Sequence, residues 1–128
     1  MKSLAGTYNE LGLWFLADGR KGVLEGEVHI EALPTGILIR YGDGRMHQAE
    51  LTLGTIGCAP LTGDGGDGMI YLSEHTMILD YTANIEGQIE HNTDVWDAGS
   101  TPIRRSGVIR QPDRLIWFET KMSRAEPE

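Results

Sequence analysis

Apolar and polar residues alternate along most of this chain, and glycine, proline or an Asp-Gly pair cuts the alternation every dozen residues or so. A period of two is the pattern of strands with one covered and one wet face, and the interrupting residues are those that tight turns require. Leu4 to Phe15 opens as a strand, with a break near Gly12 or, alternatively, a short helix over Glu10 to Ala17 capped by Asn9. Asp18-Gly19 then signals a hairpin. From Val23 to Leu33, residues Leu24, Gly26, Val28, Ile30 and Ala32 share one face, and Glu25, Glu27, His29 and Glu31 the other. Pro34 to Gly36 turns the chain, Ile37 to Tyr41 returns, and Asp43-Gly44 turns it again. From Met46 to Gly57 the pattern sets His47, Ala49, Leu51, Leu53 and Thr55 on one side.

Cys58 to Gly68, with four glycines and two aspartates, is expected to be a loop at the mouth of the fold. Met69 to Ser73, Thr76 to Ala83, Gln88 to Asp97, Ile103 to Arg110 and Arg114 to Met122 follow as strands, and the tail from Ser123 to Glu128 is expected to fray. Eight or nine strands with at most one or two short helices make an all-β chain. A meander this long in 128 residues would expose two edges unless it closed on itself, which predicts one antiparallel up-and-down barrel domain over residues 1–128, with a β-sandwich as the alternative.

Composition narrows the classes of partner. The formal net charge is −8, and residues 1–98 carry 5 Lys+Arg against 15 Asp+Glu. That sign repels phosphate backbones and anionic headgroups, so neither nucleic acid nor a membrane surface is expected as a partner. Arg104, Arg105, Arg110 and Arg114 are the candidates for a basic patch and read instead as a solvated strand face. One cysteine, Cys58, excludes an internal disulfide and a Cys-based zinc framework. No run approaches signal-peptide or membrane-span character, so the expected location is cytoplasmic. A homodimer is the expected assembly, closed symmetric oligomers being common.

Two stretches carry a family likeness. Leu4-Ala5-Gly6-Thr7-Tyr8 is similar to the Gly-x-Trp opening of the first strand in calycins, with Tyr8 standing at the tryptophan, and Arg114-Leu-Ile-Trp-Phe is similar to their basic, Trp-containing closing strand. The chain thus resembles the lipocalin-like and fatty-acid-binding-protein-like barrels. The resemblance implies an interior cavity for a small, mostly hydrophobic molecule, and a structural role for Arg114 packed against Tyr8. Some relatives bind haem or catalyse cyclisation and isomerisation.

Candidate chemistry centres on histidine. His91 is in register with Ile85, Ile89 and Val95, which predicts an imidazole on the inner face, able to anchor a ligand, move a proton or hold haem iron. His47 shares a face with Ala49, Leu51 and Leu53 by the same reasoning. Tyr81, Tyr71 and Trp117 complete the expected ligand-contacting set. Asp80 is solvated if Met77, Leu79 and Tyr81 point inward, and lines the interior if Ile78 and Thr82 do. Asp97 lies about 20 Å along the strand from His91, too far to pair with it. No metal-ligand spacing and no catalytic set can be named, and no cofactor is required, haem being the one conceivable. The expected function is ligand binding in the barrel interior. The alternatives are a cyclase or isomerase using the same cavity and a barrel packed solid.

Overall fold

A computed structural model describes residues 4–125. Among them the chain is strand and turn throughout, without a helix, so none is long and apolar enough to cross a membrane. Ten strands follow one another: β1 (Gly6–Leu16), β2 (Lys21–Leu33), β3 (Gly36–Tyr41), β4 (Met46–Ala49), β5 (Gly57–Leu61), β6 (Asp67–Leu72), β7 (Thr76–Ile85), β8 (Gln88–Asp97), β9 (Ile103–Gln111) and β10 (Arg114–Arg124). Each pairs antiparallel with its neighbours in sequence except β4 with β5, and β1 pairs with β10, so the first and last strands meet inside the sheet. The remaining gap, between β4 and β5, is closed by one bridge in which the Gln48 and Thr62 backbones exchange hydrogen bonds of 2.8 and 2.9 Å. The result is a nearly closed antiparallel barrel. Closure satisfies the backbone groups that two free edges would leave unpaired.

The tenth strand is β5. From Cys58 on, its segment GCAPL lies in the stretch expected to be a loop, and only Ala59 and Leu61 of it are buried, too few to produce a visible alternation. The expected strand from Met46 to Gly57 instead ends at Ala49, and Leu51 and Leu53 pack against the core from the connection to β5. β1 runs unbroken through Gly12, with neither interruption nor helix. Ser123 and Arg124 extend β10 rather than fray, and residues 126–128 lie outside the described residues.

Period-two geometry sorts the side chains into an inner and an outer set. Tyr8, Ile30, Ile37, Ile39, Ile70, Met77, Leu79, Trp96 and Met122 form the core, each at most 1% exposed. They fill the end of the barrel where β2 turns into β3, β6 into β7 and β8 into β9, and where Leu4 enters. The Tyr8 hydroxyl donates to the Leu4 carbonyl at 2.7 Å. Arg124, not Arg114, lies over the Tyr8 ring, 5.1 Å from its centroid, because the β1–β10 register sets Tyr8 opposite Arg124. Arg114 sits at the far end of β10 and donates to the Gln111 side chain at 2.7 Å.

Candidate functional site

The other end, ringed by the hairpins β1–β2, β3–β4, β5–β6, β7–β8 and β9–β10, holds a cavity of about 860 Å³. Pairing of β2 with β3 stops at Val28, so the first half of β2 has only β1 beside it and leaves the wall open around Leu24 and Gly26. A Cβ on Gly26 would meet nothing within 4 Å.

Arg105 is the hub of the cavity floor. It shares the inner face of β9 with Ile103 and Ile109, and its side chain is only 10% exposed. Nη1 donates to both carboxylate oxygens of Glu10, at 3.0 and 2.7 Å, and Nη2 donates to Asp94 Oδ2 at 2.6 Å. Thr120 adds a hydroxyl hydrogen bond to Glu10 Oε2 at 2.6 Å. The guanidinium carbon lies 4.8 Å from the Phe118 ring centroid and 5.3 Å from that of Trp96. Burial opposes the charge of Arg105, but Asp94 and Glu10 outweigh it and hold its pKa well above the ordinary value. Gly107 faces Asp94 across β8 and β9, and a Cβ there would sit 2.6 Å from the Phe118 ring and 2.8 Å from Asp94 Oδ1. Only glycine leaves room for both groups.

A second polar layer sits above the floor. His47 is fully buried, its Nδ1 shares a hydrogen with the Tyr41 hydroxyl at 3.1 Å, and its ring meets the Tyr81 ring edge-on at 4.4 Å. The β5–β6 loop folds against it: Gly65 N–H donates to the Met46 carbonyl at 2.9 Å, and Asp64 accepts from Met46 N–H at 2.7 Å. A Cβ on Gly65 would come within 2.8 Å of His47 Nε2. The Gly65 backbone is close enough to favour a proton on the ring but forms no aligned hydrogen bond, and Nε2 is buried without one. Burial pushes the His47 pKa below the usual imidazole value, the Gly65 backbone and Asp94 opposing in part. Burial likewise drives the Tyr41 and Tyr81 hydroxyls well above the ordinary phenol value, so both serve as neutral hydrogen-bonding groups.

The expected ligand contacts divide between the two sides of the wall. His47 and Tyr81 come together in the cavity. His91, Tyr71 and Trp117 do not: Tyr71 is exposed on the outside of β6, and Trp117 stacks on Phe15 outside β10, centroids 5.9 Å apart. His91 corrects an expectation, for it faces outward and its Nε2 lies 2.8 Å from Asp80 Oδ1. Met77, Leu79 and Tyr81 point inward, which places Asp80 on the same outer surface. Of the apolar residues used to orient β8, Ile85 belongs to β7 and packs against the core, whereas Ile89, 58% exposed, and Val95 lie on the outer face of β8, and Asn92, Asp94 and Trp96 fill its inner positions.

Glu10, Asp94, Asn92 and Arg105 are cavity residues that the alternation does not reveal, and Arg105, expected on a solvated face, lies inside. One signal was present: Ile103, Arg105, Gly107 and Ile109 alternate as a single largely apolar face. Haem does not fit this arrangement. Both nitrogens of the inward His47 face protein groups, Tyr41 and Gly65, rather than open space, and an iron ligand needs one nitrogen clear. Among the described residues no three His, Cys, Asp or Glu side chains are grouped to hold a metal ion. No protein-family model, curated protein or solved structure matches this chain.

Proposed function

We propose that this barrel is a calycin-like binding protein that takes a small, largely apolar molecule carrying one polar group into its open end. The cavity carries the reading: about 860 Å³ is the size of a small-molecule site, and its walls combine Leu24, Val28, Ile109 and Phe118 with a few convergent polar groups. An antiparallel barrel of this size can be filled completely by its own side chains, so empty volume at one end favours binding over a purely structural role. Arg124 over Tyr8, an arginine of the last strand on an aromatic of the first, supports the calycin likeness.

The enzymatic alternative draws less support. A cyclase or isomerase using His91 would need that imidazole in the cavity, and Tyr81 holds its proton too tightly to act as a base. The test is to plug the mouth. Gly26→Phe places a ring in open space on the inner face of β2. Native mass spectrometry of freshly purified protein should find a retained small molecule, and Nile red, a neutral apolar dye, should bind the parent chain and lose at least tenfold in affinity in Gly26→Phe with an unchanged near-UV CD spectrum. No retained mass, with equal dye binding by both chains, would overturn the proposal.

A further inference from the structure

The charges of the cavity say which polar group the ligand carries. Both cations in its lining are held in ion pairs, Arg45 Nε by Asp43 at 2.8 Å and the two Nη groups of Arg105 by Glu10 and Asp94. The remaining Arg105 donor, Nε, has no partner among the described residues but is buried away from the surface of the cavity. Two carboxylates against one guanidinium leave the buried triad net negative, and Glu90, Glu25 and Glu27 add charge of the same sign toward the opening. A concave site lined by one sign of charge and walled by apolar groups focuses its field on whatever enters. A ligand carboxylate would find no unpaired cation there and would meet the negative triad in a medium that screens poorly.

Hydrogen-bonding capacity points the same way. Asp94 commits Oδ2 to Arg105, and its Oδ1 accepts no hydrogen bond among the described residues. Asn92 is 5% exposed and Tyr81 9% exposed, and neither side chain makes a hydrogen bond there. All three line the cavity. The strand register brings them together, with Tyr81 directly opposite Asn92 across β7 and β8, and Asp94 two residues farther along the same face. Directly opposed residues have Cβ atoms about 5 Å apart, and a residue two positions along lies about 7 to 8 Å away. Asn92 and Tyr81 can each accept or donate, whereas the Asp94 carboxylate only accepts, so the three can together receive the donors of one ammonium group, and Asp94 supplies the opposite charge that offsets its desolvation. The rings of Tyr41, Tyr81 and Phe118 are compatible with a cation close by.

We propose that the cavity selects a small organic cation, a protonated amine on an apolar body, seated on Asp94, Asn92 and Tyr81, and that it discriminates against carboxylates. This rests on the binding function proposed above. Octylamine, octanol and octanoate share one tail and differ in head-group charge, so isothermal titration of the full chain with each at neutral pH separates the two ideas. Octylamine should bind at least tenfold tighter than octanoate, with octanol between them. Asp94→Asn should remove most of that preference, weakening octylamine far more than octanol. Glu90→Gln, nearer the mouth, should narrow the preference less and guards against an Asp94 variant that fails to fold. Equal binding of all three would keep the binding function and overturn the charge selection. Tighter binding of octanoate would overturn the selection outright, and no binding of any probe would remove both.

Discussion

The two ends of the barrel are built from the same strands by opposite rules. Followed inward from the packed end, β8 places Trp96, then Asp94, Asn92 and Glu90, on its inner face. β9 steps from Ile103 to Arg105, β10 from Met122 to Thr120, β1 from Tyr8 to Glu10, β3 from Ile39 to Tyr41, and β4 from Ala49 to His47. One end excludes water and is held by apolar packing. The other keeps polar groups inside and pairs only part of them with one another, Arg105 with Glu10 and Asp94 and His47 with Tyr41, at a cost in desolvation that packing alone would not incur. The change falls at the same level on strand after strand, so it is a layer of the fold and not a scatter of exceptions. A polar layer built across an otherwise packable barrel is what a site requires.

The sharpest way to break this contrast is at Arg105. Arg105→Met leaves Glu10 and Asp94 buried without their partner, and loss of one member of such a group costs about 3–5 kcal/mol. Chemical denaturation should show it as a fall in midpoint. Replacing all three, Arg105→Met with Glu10→Leu and Asp94→Leu, should recover that stability or exceed it, because an apolar layer incurs no desolvation cost, while the preference among head groups disappears. A triple variant much less stable than the single one would mean that the triad is structural.

At the packed end the expected effects are nearly as large but of another kind. Leu79 is fully buried, and Leu79→Ala should cost about 2–5 kcal/mol through lost transfer energy and the void left behind. Its binding of octylamine should stay within about twofold of the parent chain, since the site is held at the other end. A parallel loss of affinity would show the two ends to be coupled.

That difference also marks what could be read without coordinates. The packed end was legible: Val28 and Ile30 alternate with Glu27, His29 and Glu31, Ile37 to Ile39 is a short apolar run, and Gly or Pro marks the turns. The site was not, because reading orientation from alternation assumes that the inner face is the apolar one. In β8 that assumption reversed the strand, since Ile89 lies outside and Asn92 and Asp94 inside, and only Trp96 pointed the other way. β5 was hidden by brevity and by Pro60. The triad was invisible for a different reason, since Glu10 and Arg105 stand 95 residues apart and meet only because β1 and β9 flank β10.

His47 makes the contrast measurable through pH. Burial lowers its folded-state pKa below the unfolded value of 6.5, so between the two values the unfolded chain binds the extra proton. The stability that a neutral His47 provides is therefore complete above about pH 6.5 and lost as pH falls through the folded-state value. Urea midpoints measured from pH 7.5 to 5 should decline, and His47→Gln should flatten the decline. An equal slope in the variant would assign the acid sensitivity to other groups.

The smallest effect is expected on the outer wall, at His91. The His91–Asp80 contact, 2.8 Å long, is about half exposed on both partners, and Thr82 approaches Nδ1 at 3.3 Å. Exposed ion pairs of this kind contribute about 0–1 kcal/mol, because solvent screens them and both side chains lose rotamer freedom in forming them. His91→Leu should therefore shift stability by less than about 1 kcal/mol and leave octylamine affinity unchanged. The comparison with His47 is then direct: two histidines, one inside the polar layer and one on the opposite face of the wall. A large loss of affinity in His91→Leu, with His47→Gln silent, would mean that the ligand binds on the outer surface of the sheet, and the cavity would no longer be the site.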